Sequence, residues 1–332
     1  MSDYHIYAIG NALVDKEFEV TDKFLEQSDI DKGMMTLVEK EYQDDLLNQL
    51  KNTFGLKKRA SGGSAANTII AASYFGSNCF YSCKVGNDEP GEFYLRDLNQ
   101  AGVTSNASTH DEPGTTGRCV VMVTPDAERT MHSFLGISQT ISEQELDVEA
   151  LKNSEYLYLE GYLVTSDSAR QAAIAAKKIA EQEGIKTALT FSDPGMVEFF
   201  KEGLTEMVSS GIDLLFCNEQ EAKTWSGKDS LDEVANELKK IAKTFAVTLG
   251  AKGSLIFDGE TLHTLEGVPV KAVDTNGAGD MYAGAFIYAL TNGHSYVDAG
   301  RLATRASAEV VSHFGPRLPE QAHQHLLNEV AL

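Results

Sequence analysis

In the second half of the chain, short apolar runs alternate with stretches of helical periodicity. Tyr156–Leu159, Thr187–Phe191, Asp213–Phe216 and Ala246–Leu249 read as strands, while Ser168–Gln182, a segment near Val197–Val208 and Asp232–Lys243 read as helices. Gly184 stands just past the first of these helices, where a C-cap glycine belongs. Apolar strands alternating with amphipathic helices predict a parallel sheet covered on both faces. The amino-terminal part adds a strand at Tyr4–Ile9 ending at Gly10-Asn11, a helix at Ser64–Phe75 and a strand at Asn78–Val85. Two stretches break the rhythm. Residues from about 16 to 60 are more charged and irregular, and within about 104–135 the segments Gly117–Thr124 and Arg129–Leu135 alternate around Pro125-Asp126 as a β-hairpin does. The expected architecture is one α/β core over residues 1–332, a Rossmann-like, mainly parallel sheet with helices on both faces. A small β lid is inserted in two pieces, about 16–60 and 104–135. In such sheets ligands bind at the carboxyl ends of the strands, which directs attention to Gly10-Asn11, Asp193, Asn218 and Asp274–Asp280.

Charge narrows the choice of partner. The 332 residues carry 49 acidic and 28 basic side chains, a formal net charge of −21. That argues against nucleic acid or an anionic membrane as partner, since both need concentrated Lys and Arg. An anionic small molecule held at a local cationic or backbone-amide site is compatible with it. Cys79, Cys83, Cys119 and Cys217 are too few for a disulfide scaffold, and no second pair stands beside Cys79 and Cys83 to complete a zinc ribbon. They are expected to be reduced structural thiols. His110 and His294 show no metal-ligand spacing. The segment Met1–His5 lacks the basic start and apolar core of a signal peptide, and no apolar run reaches the roughly 18 residues of a membrane span, so the cytoplasm is the expected location.

The chemistry concentrates in one turn. Asp274-Thr275-Asn276-Gly277-Ala278-Gly279-Asp280 follows the β-prone segment Val268–Val273 and leads into the apolar helical stretch Met281–Leu290. Two glycines at a helix start leave backbone N–H groups open to a phosphate, and the helix dipole adds positive potential there. A carboxylate in the same turn can meet an acceptor hydroxyl beside that anion hole. Phosphoryl transfer asks mostly for positioning and charge stabilisation. An aspartate at a helix N-terminus is expected to have its charged form favoured. Taken alone, the turn reads equally as a plain strand–helix connection with capping aspartates. The chain has no Gly-x-Gly-x-x-Gly fingerprint, which disfavours a nicotinamide oxidoreductase, and no Walker A loop.

The heptapeptide matches throughout the second signature, Asp-Thr-x-Gly-Ala-Gly-Asp, of the ribokinase-like PfkB family of carbohydrate and nucleoside kinases. Gly62-Gly63-Ser64-Ala65-Ala66-Asn67 resembles the first signature region, and Gly86-x-Asp88-x-x-Gly91 with Leu98 and Ala101-Gly102-Val103 has the family's spacing. The resemblance runs from Gly10 to about Gly315, and Gly10-Asn11-Ala12-Leu13-Val14-Asp15 with the Arg129 region is most similar to the adenosine-kinase-like branch. It implies a ribokinase-like fold and an ATP- and Mg²⁺-dependent kinase that phosphorylates a hydroxymethyl group of adenosine or another purine nucleoside. A sugar kinase of the ribose or fructose class is the alternative within the same chemistry, and a non-catalytic nucleoside or sugar sensor the alternative outside it.

By the same resemblance Asp280 is the catalytic base, and the amides of Gly277, Ala278 and Gly279 form the anion hole for the transferring γ-phosphoryl group. Asp15 accepts from substrate hydroxyls, joined by Asn11, Gly62, Gly63 and Asn67. Asn218 and Glu221 organise phosphates and, through water, Mg²⁺; read from the residues alone, they are a helix N-cap and its capping-box partner. Thr248, Gly250 and Gly253 belong to the nucleotide loop, where Lys252 is either a nucleotide contact or a solvated cation. Helix Ala299–Ser312 with Phe314-Gly315 resembles the adenine wall and, together with Asp274, part of a monovalent-cation (K⁺) site. Arg129 and His132, on the second hairpin strand, resemble lid residues facing the substrate, although a lone His on a strand also reads as structural. Relatives use the lid either as a monomer's flap or as a dimer clasp, so both monomer and homodimer are open.

Overall fold

The computed structural model describes residues 2–108 and 113–330, so His110 lies outside the described residues. From the amino terminus the chain forms β1 (Tyr4–Ile9), β2 (Leu13–Glu19), α1 (Asp22–Gln27), β3 (Met35–Leu37), α2 (Lys40–Thr53), β4 (Lys58–Gly62), α3 (Ser64–Phe75), β5 (Cys79–Ser82), α4 (Glu89–Gln100), β6 (Val103–Ser105), β7 (Gly117–Val123) and β8 (Arg129–Phe134). It continues as α5 (Val148–Lys152), β9 (Ser154–Glu160), α6 (Asp167–Glu183), β10 (Lys186–Thr190), α7 (Pro194–Phe199), α8 (Lys201–Val208), β11 (Ile212–Asn218), α9 (Glu219–Ser226), α10 (Leu231–Leu238) and β12 (Ala242–Thr248). The last elements are β13 (Gly253–Phe257), β14 (Leu262–Glu266), α11 (Ala278–Thr291), α12 (Tyr296–Val311) and α13 (Glu320–Val330).

Nine strands make one sheet in the order β14-β13-β12-β11-β10-β9-β1-β5-β6. It is parallel from β6 to β12 and ends in the antiparallel pair β13 and β14. Successive side chains of the central strands enter opposite cores, as the pleat requires. Ile6, Ala8, Tyr156, Tyr158 and Phe216 pack with α3, α11 and α12 on one face, and Tyr7, Ile9, Leu157, Leu159 and Leu215 pack with α6, α8 and α10 on the other. A second sheet has the order β3-β8-β7-β2-β4. Its outer face carries Phe18, Val120 and Met122 against Leu25 of α1 and Leu46, Leu47 and Leu50 of α2. All four cysteines are buried and free. Among the described residues no helix is long and apolar enough to cross a membrane.

Several local expectations are corrected by the fold. The charged stretch after residue 16 holds the 14-residue α2, whose polar surface surrounds a narrow buried stripe of Gln43, Leu46, Leu47 and Leu50. Strand β6 pairs with β5 in the large sheet, so the chain returns to the small sheet at Gly117 and not at 104, while β2 already begins at Leu13. The helix expected up to Lys243 ends at Leu238, because Ala242 pairs with Ile212 and draws the following residues into β12. Near Val197–Val208 there are two helices, broken at Phe200. Val268–Val273 contains Pro269 and forms no strand; Val270 and Val273 are exposed.

Helix α11 is apolar nearly all round and correspondingly buried, with Met281, Tyr282, Ala285, Phe286, Ile287 and Ala289 inside. It crosses α3 at Gly284, where a Cβ would strike the Thr68 carbonyl oxygen. Two backbones in direct contact bring the starts of the two helices side by side. Gly284→Ala improves helix propensity, yet its methyl meets the α3 backbone and the Ala71 methyl, neither of which can swing aside. We expect a net loss of about 1–2 kcal/mol in urea unfolding; an unchanged or higher stability would mean that the helices separate freely.

Candidate active site

A cavity of about 700 Å³ opens where the parallel strands end. Its floor comes from residues at or just past those ends: Asn11 after β1, Glu160 of β9, Thr190 of β10, Asn218 of β11 and Thr248 of β12. Its roof is the inner face of the small sheet, where strand alternation turns Leu13 and Asp15 of β2, Cys119 and Val121 of β7, and Arg129, Met131 and Ser133 of β8 toward the cavity. The same alternation sends His132 to the other face, where its ring lies 5.6 Å from that of Tyr42; His132 does not line the cavity.

The turn before α11 forms the cavity's polar end. Gly277 has φ +75° and no room for a side chain against the Pro316 backbone, so glycine is required there on two counts. It caps α11 without a side chain, which leaves first-turn N–H groups for an outside acceptor. Nothing lies within 4 Å of a Cβ built on Gly279, so this part of the turn faces open space. Asp280 sits in the first turn, where it accepts hydrogen bonds from Ser64 Oγ at 2.6 Å and Asn67 Nδ2 at 3.2 Å. Its carboxyl is pushed up to about 6 by burial, against the opposing pull of those bonds and of Arg129. The expectation of a favoured charged form at a helix N-terminus is therefore corrected: burial, which penalises the charged form, is the largest influence on this carboxyl. The part played by Ser64, which the sequence marks only as a helix start, comes from the proximity of α3 to α11.

Asn11, Gly63 and Asn67 line the cavity, and Gly62 lies behind Asp15: a Cβ on Gly62 would strike the Asp15 carboxylate. Asp15 is 5% exposed, and burial with the nearby Glu17 raises its pKa well above the usual carboxylate range. Glu160 is a cavity residue absent from the sequence reading. Its Oε1 accepts from the Asn11 backbone N–H at 2.7 Å and from Asn11 Nδ2 at 2.9 Å, and its Oε2 from the Ala65 N–H at 2.8 Å, in the first turn of α3. Burial pushes its pKa up to about 7. Its position one residue past the apolar run Tyr156–Leu159 was the available signal.

Asn218 and Glu221 form the reciprocal cap that their spacing suggests and also line the cavity. Asn218 N–H and Nδ2 donate to Glu221 at 2.9 and 2.7 Å, and Glu221 N–H returns a bond to Asn218 Oδ1 at 2.8 Å. Burial pushes Glu221 up to about 7. Thr248, Gly250 and Gly253 line the far end with Val268, Thr304 and Val311, whereas Lys252 is a solvated cation 3.6 Å from Glu219. Arg129 donates from Nη1 to the Thr275 carbonyl at 3.0 Å, joining the lid to the anion turn.

Asp274 does not line the cavity. Fully buried, it accepts from the Asn276 N–H on Oδ1 and the Gly315 N–H on Oδ2, both at 2.8 Å. It braces the turn. Among the described residues no three His, Cys, Asp or Glu side chains gather into a metal cluster. Glu221, a cavity carboxylate with spare lone pairs, suits a divalent ion that keeps its own waters and arrives on phosphates, as Mg²⁺ does.

An uncapped helix start and a buried carboxylate at one end of a cleft roofed by a β-sheet are the arrangement a phosphotransferase needs. The comparisons agree. Residues 30–323 match the pfkB family carbohydrate kinases, and the chain belongs to that family. It is a kinase with ATP as phosphoryl donor. The adenosine kinase of Saccharomyces cerevisiae is 26% identical over 95% of this chain and 97% of its own length. The structure of adenosine kinase from Sinorhizobium meliloti is 32% identical, with TM-score 0.91 over 98% of this chain and 99% of that one. A probable sugar kinase from Rhizobium etli is 29% identical, with TM-score 0.93 over 100% and 99%.

The buried carboxyls make stability depend on pH. Glu17, Glu160 and Glu221 are raised to about 7 and Asp280 to about 6, so between roughly pH 4.5 and 7 the folded chain binds more protons than the unfolded one. Their contribution is present at low pH and lost as pH rises through that window. The ligand-free protein should melt at a higher temperature at pH 6 than at pH 8, and Glu221→Gln should shrink the difference. An unchanged Tm between the two would contradict the assignment.

Proposed function

We propose that the chain transfers the γ-phosphoryl group of ATP to the hydroxymethyl oxygen of adenosine or a closely related purine nucleoside. The observation that carries this reading is the contrast between the two walls of the cavity. Asp280 and the Gly277–Gly279 amides stand at the polar end, and Leu13, Leu37, Val121, Met131 and Leu135 present an apolar roof suited to a planar base. A free sugar leaves that roof unfilled. The similarity to adenosine kinases from Saccharomyces cerevisiae and Sinorhizobium meliloti supports the same choice.

In this reading Asp15 accepts from the ribose hydroxyls, with Asn11 and Asn67 beside it and Gly62 and Gly63 giving the close approach. Asp280 accepts the proton of the hydroxymethyl group as its oxygen bonds to the γ-phosphorus; the bond from that phosphorus to the bridging oxygen breaks, and ADP leaves. The amides of Gly277, Ala278 and Gly279 receive the charge on the transferring group. Asn218, Thr248, Gly250 and Gly253 border the nucleotide. Mg²⁺ bound on the phosphates supplies charge neutralisation, and Glu221 would hold one of its waters. Helices α1 and α2 cover the outer face of the small sheet, which supports a monomer with the lid as a flap. Free buried cysteines fit a reducing, cytoplasmic compartment.

ADP release measured against a panel of nucleosides and sugars should favour adenosine over inosine, ribose and fructose. A ribose or fructose preference would replace the reading with a sugar kinase; nucleoside binding without ADP release would replace it with a sensor. Asp280→Asn should lower kcat by about 10³ while adenosine and ATP still bind, since general-base contributions run to that order. In the wild type, kcat/KM should fall as pH drops below about 6, where the buried Asp280 carboxyl becomes protonated and cannot accept the hydroxyl proton. A flat profile down to pH 5 would count against Asp280 as base.

A further inference from the structure

The anion turn rests on a second loop, and a lysine from the lid sheet reaches under both. Gly277 packs on the Pro316 backbone, and the Gly315 N–H bonds Asp274 Oδ2. Beside them Lys58 of β4 donates from Nζ to the carbonyl oxygens of Phe314 at 3.2 Å and Arg317 at 3.4 Å. Gly315 leaves the space this takes, since a Cβ there would strike Lys58 Nζ. The carboxylates of Glu17, Asp274 and Asp97 lie within electrostatic reach of the ammonium, and the Arg317 guanidinium is the cation beside it, paired with Asp97 at 2.8 Å.

The family resemblance implies a K⁺ site against Asp274 and the 314–315 loop. The residues present do not fit it. Two carbonyls of the loop converge on a fixed ammonium group, which takes the place a cation would occupy, and Asp274 is spent bracing Asn276 and Gly315. An ammonium is monovalent and close to K⁺ in size.

We propose that Lys58 is a built-in substitute for a monovalent cation, holding the Phe314–Arg317 loop under the anion turn so that phosphoryl transfer needs no K⁺. Lys58 touches no reacting atom and is a positioning residue. Its charge balances Glu17 and Asp274, and its two carbonyl bonds hold the loop on which Gly277 sits. Because β4 also pairs with β2 at Glu17, the same side chain ties the lid sheet to the anion turn. The inference rests on phosphotransfer at this site and not on which nucleoside or sugar is the acceptor.

The test compares K⁺, Na⁺ and tetramethylammonium chlorides at one ionic strength. Wild-type kcat should agree within about twofold across the three, and Tm should not rise in K⁺ over tetramethylammonium, since an ion bound only by the folded state would raise it. Lys58→Ala should lose at least about tenfold in kcat, the scale of one lost electrostatic support, and recover saturably with NH₄⁺ or K⁺ but not tetramethylammonium. A merely structural lysine gives no such ion-selective rescue. Saturable K⁺ activation of the wild type, a K⁺-specific rise in its Tm, or wild-type kcat in Lys58→Ala without K⁺ would each overturn the proposal. If Lys58→Ala does not fold, the wild-type arms decide. The Tm arm needs no acceptor, so a wrong acceptor assignment, seen as no turnover in any salt, is distinguishable from a wrong role for Lys58.

Discussion

The contact on which the active site depends is the backbone-to-backbone crossing of α3 and α11. With Gly284 seated on the Thr68 carbonyl, Ser64 and Asn67 of one helix reach Asp280 at the start of the other. Each helix start also faces a carboxylate: Asp280 lies in the first turn of α11, and Glu160 accepts the Ala65 N–H of α3. Helix N-termini favour negative charge, whereas burial penalises it. For both carboxyls burial is the largest influence, and their pKa values rise to about 6 and about 7. A carboxyl that titrates near neutrality is the outcome of that burial, and it would be lost if the helices separated and water entered.

The cavity is itself acidic. Asp15, Glu160, Glu221 and Asp280 line it, against Arg129 as the cationic lining residue. With Arg129 as the one cation among the described lining residues, backbone N–H groups and the α11 dipole are the other sources of attraction for an anion there. This reconciles a net charge of −21 with an anionic substrate. Net charge describes the surface, while the potential at one end of the cavity is local and includes the uncapped N–H groups at the start of α11.

Much of this was legible in the sequence because it is local. The strand–helix alternation, the hairpin at Gly117–Thr124 and Arg129–Leu135, and the capping pair Asn218 and Glu221 each follow from residues within a few positions of one another. What was not legible is non-local. Glu160 acquires meaning only because Asn11 and Ala65, 149 and 95 residues away, bring three donors to it. Asp280 is buried by the fold and bonded by Ser64 and Asn67, more than 200 residues distant in sequence, and a motif registers neither. Helix α2 was hidden for a different reason: its buried stripe is narrow and includes Gln43, whose Nε2 donates to the carbonyls of Arg118 and His132.

The way the lid sheet is attached constrains how it can move. Two of its connections to the large sheet and its helices are short. β1 passes into β2 across Gly10–Ala12, and β4 passes into α3 across Gly63. The two crossing points touch, since a Cβ on Gly63 would strike the Asn11 carbonyl. Asn11 is held by Glu160, and Ser64, the next residue after the second crossing, holds Asp280. Rotation of the small sheet about these points must therefore act on Asp15, Asn11 and Ser64 together, because they lie on or beside the crossing strands. Arg129, bonded to the Thr275 carbonyl from the opposite side of the sheet, adds a third attachment directly to the anion turn. Filling the space under the roof and setting the geometry around Asp280 are thus one mechanical event. In a fold with a freely tethered lid they would be two, and water could reach the transferring phosphoryl group between them.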